Sequence, residues 1–164
     1  MRKILMVAIA LICVLSVGSV NVFGSPEEYI NVNVTPTLVS VALSPAAINF
    51  GAVALNQESA ASSEISATNN GSVTEDLDVK GTDAAYGTNI WTLSDSTNGA
   101  DQYMMKISKD GWANVTNLST TYVNFQDNLS TSANQNFRVK VKMPTSVTAY
   151  EEHSAKIYML ATQH

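Results

Sequence analysis

The chain has 164 residues, nine Lys and Arg against fourteen Asp and Glu, a formal net charge of −5 and a single Cys. That length supports one domain of ordinary size rather than two compact ones. An acidic chain so poor in cations is repelled by phosphate backbones, which disfavours nucleic-acid binding.

The N-terminus reads as an address. Met1-Arg2-Lys3 is a short positive region, Ile4 to Val17 is almost wholly apolar, and small and polar residues lead to Val22-Phe23-Gly24. This is the three-part pattern of a secretory signal peptide over residues 1–24, with cleavage expected between Gly24 and Ser25 and Gly18 as the alternative. An uncleaved anchor needs roughly 20 apolar residues, more than this run supplies. Cys13 lies inside the run and follows Ile12 rather than a small residue, so it is not a lipidation site. Residues 25–164 then contain no Cys, hence no disulfide, thiolate nucleophile or Cys-based metal site. They carry seven cations and fourteen acids. The compartment implied is outside the cytoplasm: secreted, at the cell surface or in a periplasm. The only membrane contact expected is the transient one of the signal peptide.

Beyond the leader, 45 of 140 residues are Ser, Thr or Asn, and the apolar residues recur with period two, the strand signature. Ile30, Val32 and Val34 alternate with Asn31 and Asn33, just behind Tyr29. Val39, Val41 and Leu43 follow, then a shorter apolar stretch at 48–50 and a strand over 63–68. Leu77 and Val79 alternate with Asp76, Asp78 and Lys80, and further strands are expected over 90–93, 103–107 and 121–125. Phe137, Val139, Val141 and Met143 alternate with Arg138, Lys140 and Lys142, which predicts one apolar and one cationic face. Ile157 and Met159 open the last strand. Thr35-Pro36, Ser44-Pro45, Asn69-Asn70-Gly71, Gly81-Thr82-Asp83, Asn98-Gly99, Lys109-Asp110-Gly111 and Met143-Pro144 punctuate these runs. Pro cannot donate to a ladder, and Gly and Asn accept positive φ. Eight to ten short strands imply a single all-β domain over residues 25–164, an antiparallel immunoglobulin-like sandwich, with a closed barrel as the alternative. The turn-rich stretch 82–98 has room for a long loop.

One stretch is more specific. Ser44-Pro45, Ile48, Phe50-Gly51 and Val53 are followed by a strand that ends in Asn69-Asn70-Gly71, then by Leu77 and Val79. This resembles the ASPM/SPD-2/Hydin-like group of immunoglobulin-like domains of secreted and surface proteins, over about a quarter of the chain. The resemblance implies that Phe50 plugs the core where the chain crosses between sheets, and that Gly51 allows the bend after it. Asn56 stands where the group has Gly, and Asn tolerates the same left-handed turn. Such domains act as scaffolds and as adhesion or assembly modules, so the resemblance implies no active site.

The search for chemistry returns little. His153 sits beside Glu151 and Glu152, and His164 is the last residue. One His and two adjacent acids fall short of a zinc ligand set, and neither a Gly-x-Ser-x-Gly elbow nor a His-Glu-x-x-His motif is present. Glu75, Asp76, Asp78 and Asp83 form the densest acidic group, without the spacing of a calcium loop. Opposed glycosidase carboxylates need a cleft that so small a sandwich has little chain to build. Trp91 alternates as a strand residue and is expected in the core. Trp112, in a turn, is the better candidate for an exposed ring, and with Tyr103 or Tyr122 it would make a sugar-stacking platform. The expectation is a non-enzyme without catalytic residues, cofactor or metal.

Three functional readings follow. The first is a secreted or surface structural or binding module whose partners are other protein subunits or surface components. The second is a filament subunit that donates the strand at residues 27–36, with Tyr29, Ile30, Val32 and Val34 as the assembly residues, to a neighbouring copy. The third is a carbohydrate-binding module using Trp112 and its neighbours.

Overall fold

The structure is a computed structural model, and it describes residues 29–164. The expected signal peptide and the Gly24–Ser25 cleavage point lie outside the described residues. The chain divides into two units at the Thr35–Pro36 junction. In the first, residues 29–35 take no regular secondary structure, and Tyr29, Ile30, Val32 and Val34 are exposed. The strand expected over 30–34 is therefore not formed among the described residues: alternation supplies a face, but a strand also requires a ladder partner.

The second unit is all-β, with no helix among the described residues. Its strands are β1 (Val41–Ser44), β2 (Ile65–Asn69), β3 (Glu75–Gly81), β4 (Ala84–Tyr86), β5 (Asn89–Leu93), β6 (Gln102–Ser108), β7 (Thr116–Asn117), β8 (Val123–Leu129), β9 (Asn134–Lys142) and β10 (Ile157–Gln163). One sheet has the order β1-β2-β9-β6-β5-β4, with β7 also paired to β6; the other has the order β10-β3-β8. The two sheets share one core. Ile65 and Ala67 of β2, Ile107 of β6, and Phe137 and Val139 of β9 meet Leu77 and Val79 of β3 and Phe125 and Leu129 of β8. The rings of Phe125 and Phe137 pack edge to face across the sheets, 5.2 Å between centroids. The alternation of β3 is obeyed residue by residue, odd positions buried and even ones half-buried. Each fully buried large apolar side chain contributes about 2 kcal/mol.

Polar groups close one end of this core. Asn69, the last residue of β2, is fully buried. Its Nδ2 donates to Val73 O and to Leu129 O at 2.8 Å each, and its Oδ1 accepts from Gly71 N–H at 2.8 Å. Asn69-Asn70-Gly71 is thus the crossover from one sheet to the other, and a single amide satisfies three backbone groups there. Glu75, also fully buried, accepts from Ser40 N–H at 2.7 Å and so ties the entry of β1 to β3.

Three expectations change. The apolar stretch 48–50 is not a strand. Asn49 Oδ1 accepts from Gly51 N–H at 2.7 Å and Gly51 sits at φ 63°, a local bond that competes with ladder formation. Phe50 nevertheless packs against the core, and Asn56 takes the left-handed conformation at φ 60°. Within 82–98 the strand expected over 90–93 is found as β5, and a second short strand, β4, takes the place of the long loop that the stretch had room for. The sheets are not purely antiparallel, because β5 and β6 pair in parallel. The loop between them doubles back: Thr92 N–H donates to Asp101 O at 2.8 Å and Ser94 N–H to Tyr103 O at 2.9 Å. Asp101, at φ 47°, holds the return with its carboxylate on the N–H and hydroxyl of Thr148.

Candidate functional site

The two edges of the three-stranded sheet are finished differently. At the β8 edge Phe125 and Leu129 are buried. At the β10 edge the inward residues Ile157, Met159 and Ala161 are only half-buried, as are Val41 and Leu43 of β1 across from them. Past the ends of these strands, at Leu43 of β1 and at Ile157 of β10, the core opens into a cleft of about 1400 Å³. Its floor is the inner face of the larger sheet, including Ile65, Tyr103, Val139 and Val141. The segments 45–55 and 150–156 form its walls, and Ile157 and Tyr158 its rim. The segments are held in place by backbone bonds: Asn56 N–H donates to Pro144 O at 2.8 Å, and Ala85 and Ser154 exchange a pair at 2.9 and 3.0 Å.

At one end of the cleft the rings of Trp91 and His153 stack, 3.8 Å between centroids and 14° between planes. His153 Nδ1 lies 2.9 Å from Glu151 O. Trp91 Nε1 and His153 Nε2 are buried without a protein partner. Tyr103 turns its hydroxyl away to donate to Thr82 O at 2.5 Å. Burial, with the Asp83 carboxylate adding to it, holds that phenol well above its ordinary pKa, so the hydroxyl remains a donor. An apolar floor with a few polar atoms at its margin receives apolar side chains and orients them.

The residues singled out from the sequence do not converge. Tyr103 is buried in the core, which removes it from an exposed platform. Trp112 is half-buried at φ 77°, with Lys140 Nζ 4.4 Å above its ring, on the outward face of β9. Tyr122 lies under Lys80 Nζ at 4.5 Å, on the outward face of the other sheet. One of these rings is in the core and the other two lie on the outward faces of different sheets, so the sugar-stacking platform is not assembled from them. Trp91 is in the core, as its alternation required.

The acidic group is dispersed as well. Glu75 points inward, Asp76 bonds to His164 Nδ1 at 2.9 Å and to Asn128 N–H, and Asp83 accepts from Leu93 N–H. The Asn128 N–H, then His164, hold the Asp76 carboxyl below its usual pKa. Among the described residues no three His, Cys, Asp or Glu side chains gather as a metal site would require. One cation of β9 is used in structure: Glu58 bridges Lys140 at 3.3 Å and Lys106 of the neighbouring β6 at 2.5 Å.

The cleft itself was not foreseen from the sequence. Its signal lies in the apolar run of residues 45–55, AAINFGAVAL with Pro45 before it, too apolar for an ordinary surface loop. No family model matches this chain, and no curated protein matches it.

Proposed function

We propose that this chain is an exported, non-catalytic structural module with an immunoglobulin-like β-sandwich fold, and that it works by taking an extended segment of polypeptide into the cleft beside β10. The observation that carries this reading is the unequal finish of the two edges of one sheet: Phe125 and Leu129 of β8 are buried and Val123 half-buried, whereas none of Ile157, Met159 and Ala161 of β10 is buried. A sheet edge beside an apolar slot is the geometry of β-strand addition: backbone hydrogen bonds give affinity and pockets for alternate side chains give specificity. The leader read from the sequence supports export, and the resemblance to surface scaffold domains agrees with a structural role.

The test uses Trp91, which lines the cleft, as the reporter in a Trp112→Phe background. A seven-residue peptide alternating Val and Thr is titrated in, with a peptide of the same composition in Val and Thr blocks as control. A saturable change in Trp91 emission with the alternating peptide alone is expected. Equal responses to both peptides, or none, would remove the slot reading.

A further inference from the structure

The cleft and the N-terminal segment have complementary needs. β10 pairs with β3 on one edge, and among the described residues its other edge has no ladder partner. An unpaired edge of this kind is a template for another strand. Along it, Ile157, Met159 and Ala161 stand two residues apart and half-buried, and the first of them, Ile157, lines the cleft. Residues 29–35 present the counterpart. Ile30, Val32 and Val34 also stand two residues apart, so in an extended conformation they share one face, and they are 88%, 79% and 82% exposed. At about 3.3 Å per residue each set of three spans about 13 Å.

Charge and chain chemistry agree with the match. Residues 29–35, YINVNVT, carry no charge, so laying them against the apolar floor buries no ion. Asn31 and Asn33 would face outward beside Tyr158 and Leu160, which are exposed. Pro36 cannot donate to a ladder, so a donated strand ends at Thr35. The folded unit is gripped directly afterwards, by Leu38 N–H on Ser72 Oγ at 2.8 Å and by Ser40 N–H on Glu75.

We infer that the occupant of the cleft is the segment 29–35 of a second copy of this chain, laid along the free edge of β10 with Ile30, Val32 and Val34 turned to the floor. The inference rests on the slot reading above and names its partner. Every copy carries one donor segment and one acceptor cleft, so the contact is head to tail and, where the rotation does not close, builds a linear polymer.

The experiment takes the full-length chain, expressed with its leader and recovered from the medium or cell surface, and compares it with Val32→Asp. That substitution adds a charge to an exposed residue and leaves the domain core untouched. Light-scattering mass and negative-stain microscopy are read together. Two further variants, Asn31→Cys and Tyr158→Cys, which the proposed pairing puts side by side on the outward face, are mixed. Beyond the leader the chain has no Cys of its own, so a mixed disulfide reports a contact between copies. Expected are linear particles of many subunit masses, collapse to one subunit mass in Val32→Asp with an unchanged circular dichroism spectrum, and a reducible two-subunit band from the mixture. A wild-type chain at one subunit mass overturns the inference, as do polymers that persist in Val32→Asp. If the wild type is monomeric yet Trp91 still responds to the alternating peptide, the slot stands and this donor falls. If that response is absent too, both fall.

Discussion

Glu75 Oε1 accepts a hydrogen bond from Ser40 N–H at 2.7 Å, joining two residues 35 positions apart. The carboxylate is fully buried, and its Oε2 has no partner. A buried acid so placed acts as a clasp: it fixes where β1 begins, and β1 forms one side of the open cleft. Glu75→Ala leaves the Ser40 N–H unpaired and is expected to cost about 2 kcal/mol, read by urea denaturation. Hydrogen exchange in β1 should rise more than in β9. Glu75→Gln, which keeps an acceptor, should recover most of the loss.

Asn69 serves both sheets, since Leu129 O belongs to β8 and Asn69 itself to β2. Asn69→Ala strands Val73 O, Leu129 O and the Gly71 N–H together. A loss of about 3 kcal/mol is expected. Asn69→Asp replaces the donating Nδ2 with an acceptor and should be no better than Ala by the same denaturation measurement.

Gly71 is required for space. A Cβ on it would fall well inside van der Waals contact with both Leu38 O and Glu75 Oε1. The first is backbone and cannot swing aside, so Gly71→Ala should destabilise by about 2 kcal/mol. Gly51 makes the contrast. It needs its positive φ, but a side chain there would meet no other atom within 4 Å of its Cβ. Gly51→Asn should therefore be tolerated within about 1 kcal/mol.

The unequal edges predict unequal mutational costs. Leu77→Ala, at the closed centre of the core, should cost about 2–5 kcal/mol. Ile157→Ala, at the half-open rim, should cost about 1 kcal/mol in the isolated subunit. Comparable losses for the two, measured by urea denaturation in a Val32→Asp background, would show that the cleft is closed in solution.

Asp110 carries the clearest pH signature. The N–H of Asn114 at 2.9 Å, its side-chain amide and the Ser108 hydroxyl at 2.8 Å hold the carboxyl down at about 2. A depressed carboxyl contributes stability that is fully present above the unfolded-state value near 4 and is lost as pH falls through about 2. Carboxyl NMR should therefore show Asp110 titrating below the bulk of the acids, and Asp110→Asn should abolish that part of the acid dependence. Glu58, held down first by its hydrogen bond to Lys106 and then by Lys140, should titrate below an ordinary Glu in the same experiment.

Much of the fold was legible from period two. β3 and β9 carry long alternations whose apolar side had only one place to go, and both were found in register with the core. The last strand was legible at its start and ran further, to Gln163. β4 and β7 were not, because strands of three and two residues show no period. The stretch 48–50 looked like a strand because it is apolar, yet its residues serve as a wall of the cleft. Alternation at 30–34 was equally clear and formed no strand, because it has no ladder partner among the described residues.

Composition and pattern alone settled an all-β chain, acidic and free of Cys beyond its first segment, with the faces of its long alternating strands, β3 and β9, assigned residue by residue. These are local properties: the period of side-chain direction and the φ preferences of Pro, Gly and Asn act within a few residues. Which strands pair, that β5 and β6 do so in parallel, that Glu75 turns inward while Asp76 turns out, and that inward side chains are buried more deeply along β8 than along β10, were decided by packing between residues far apart in sequence. Burial is a property of the assembled surface, so neither the clasp at Ser40 nor the cleft beside β10 could be read before the two sheets were brought together.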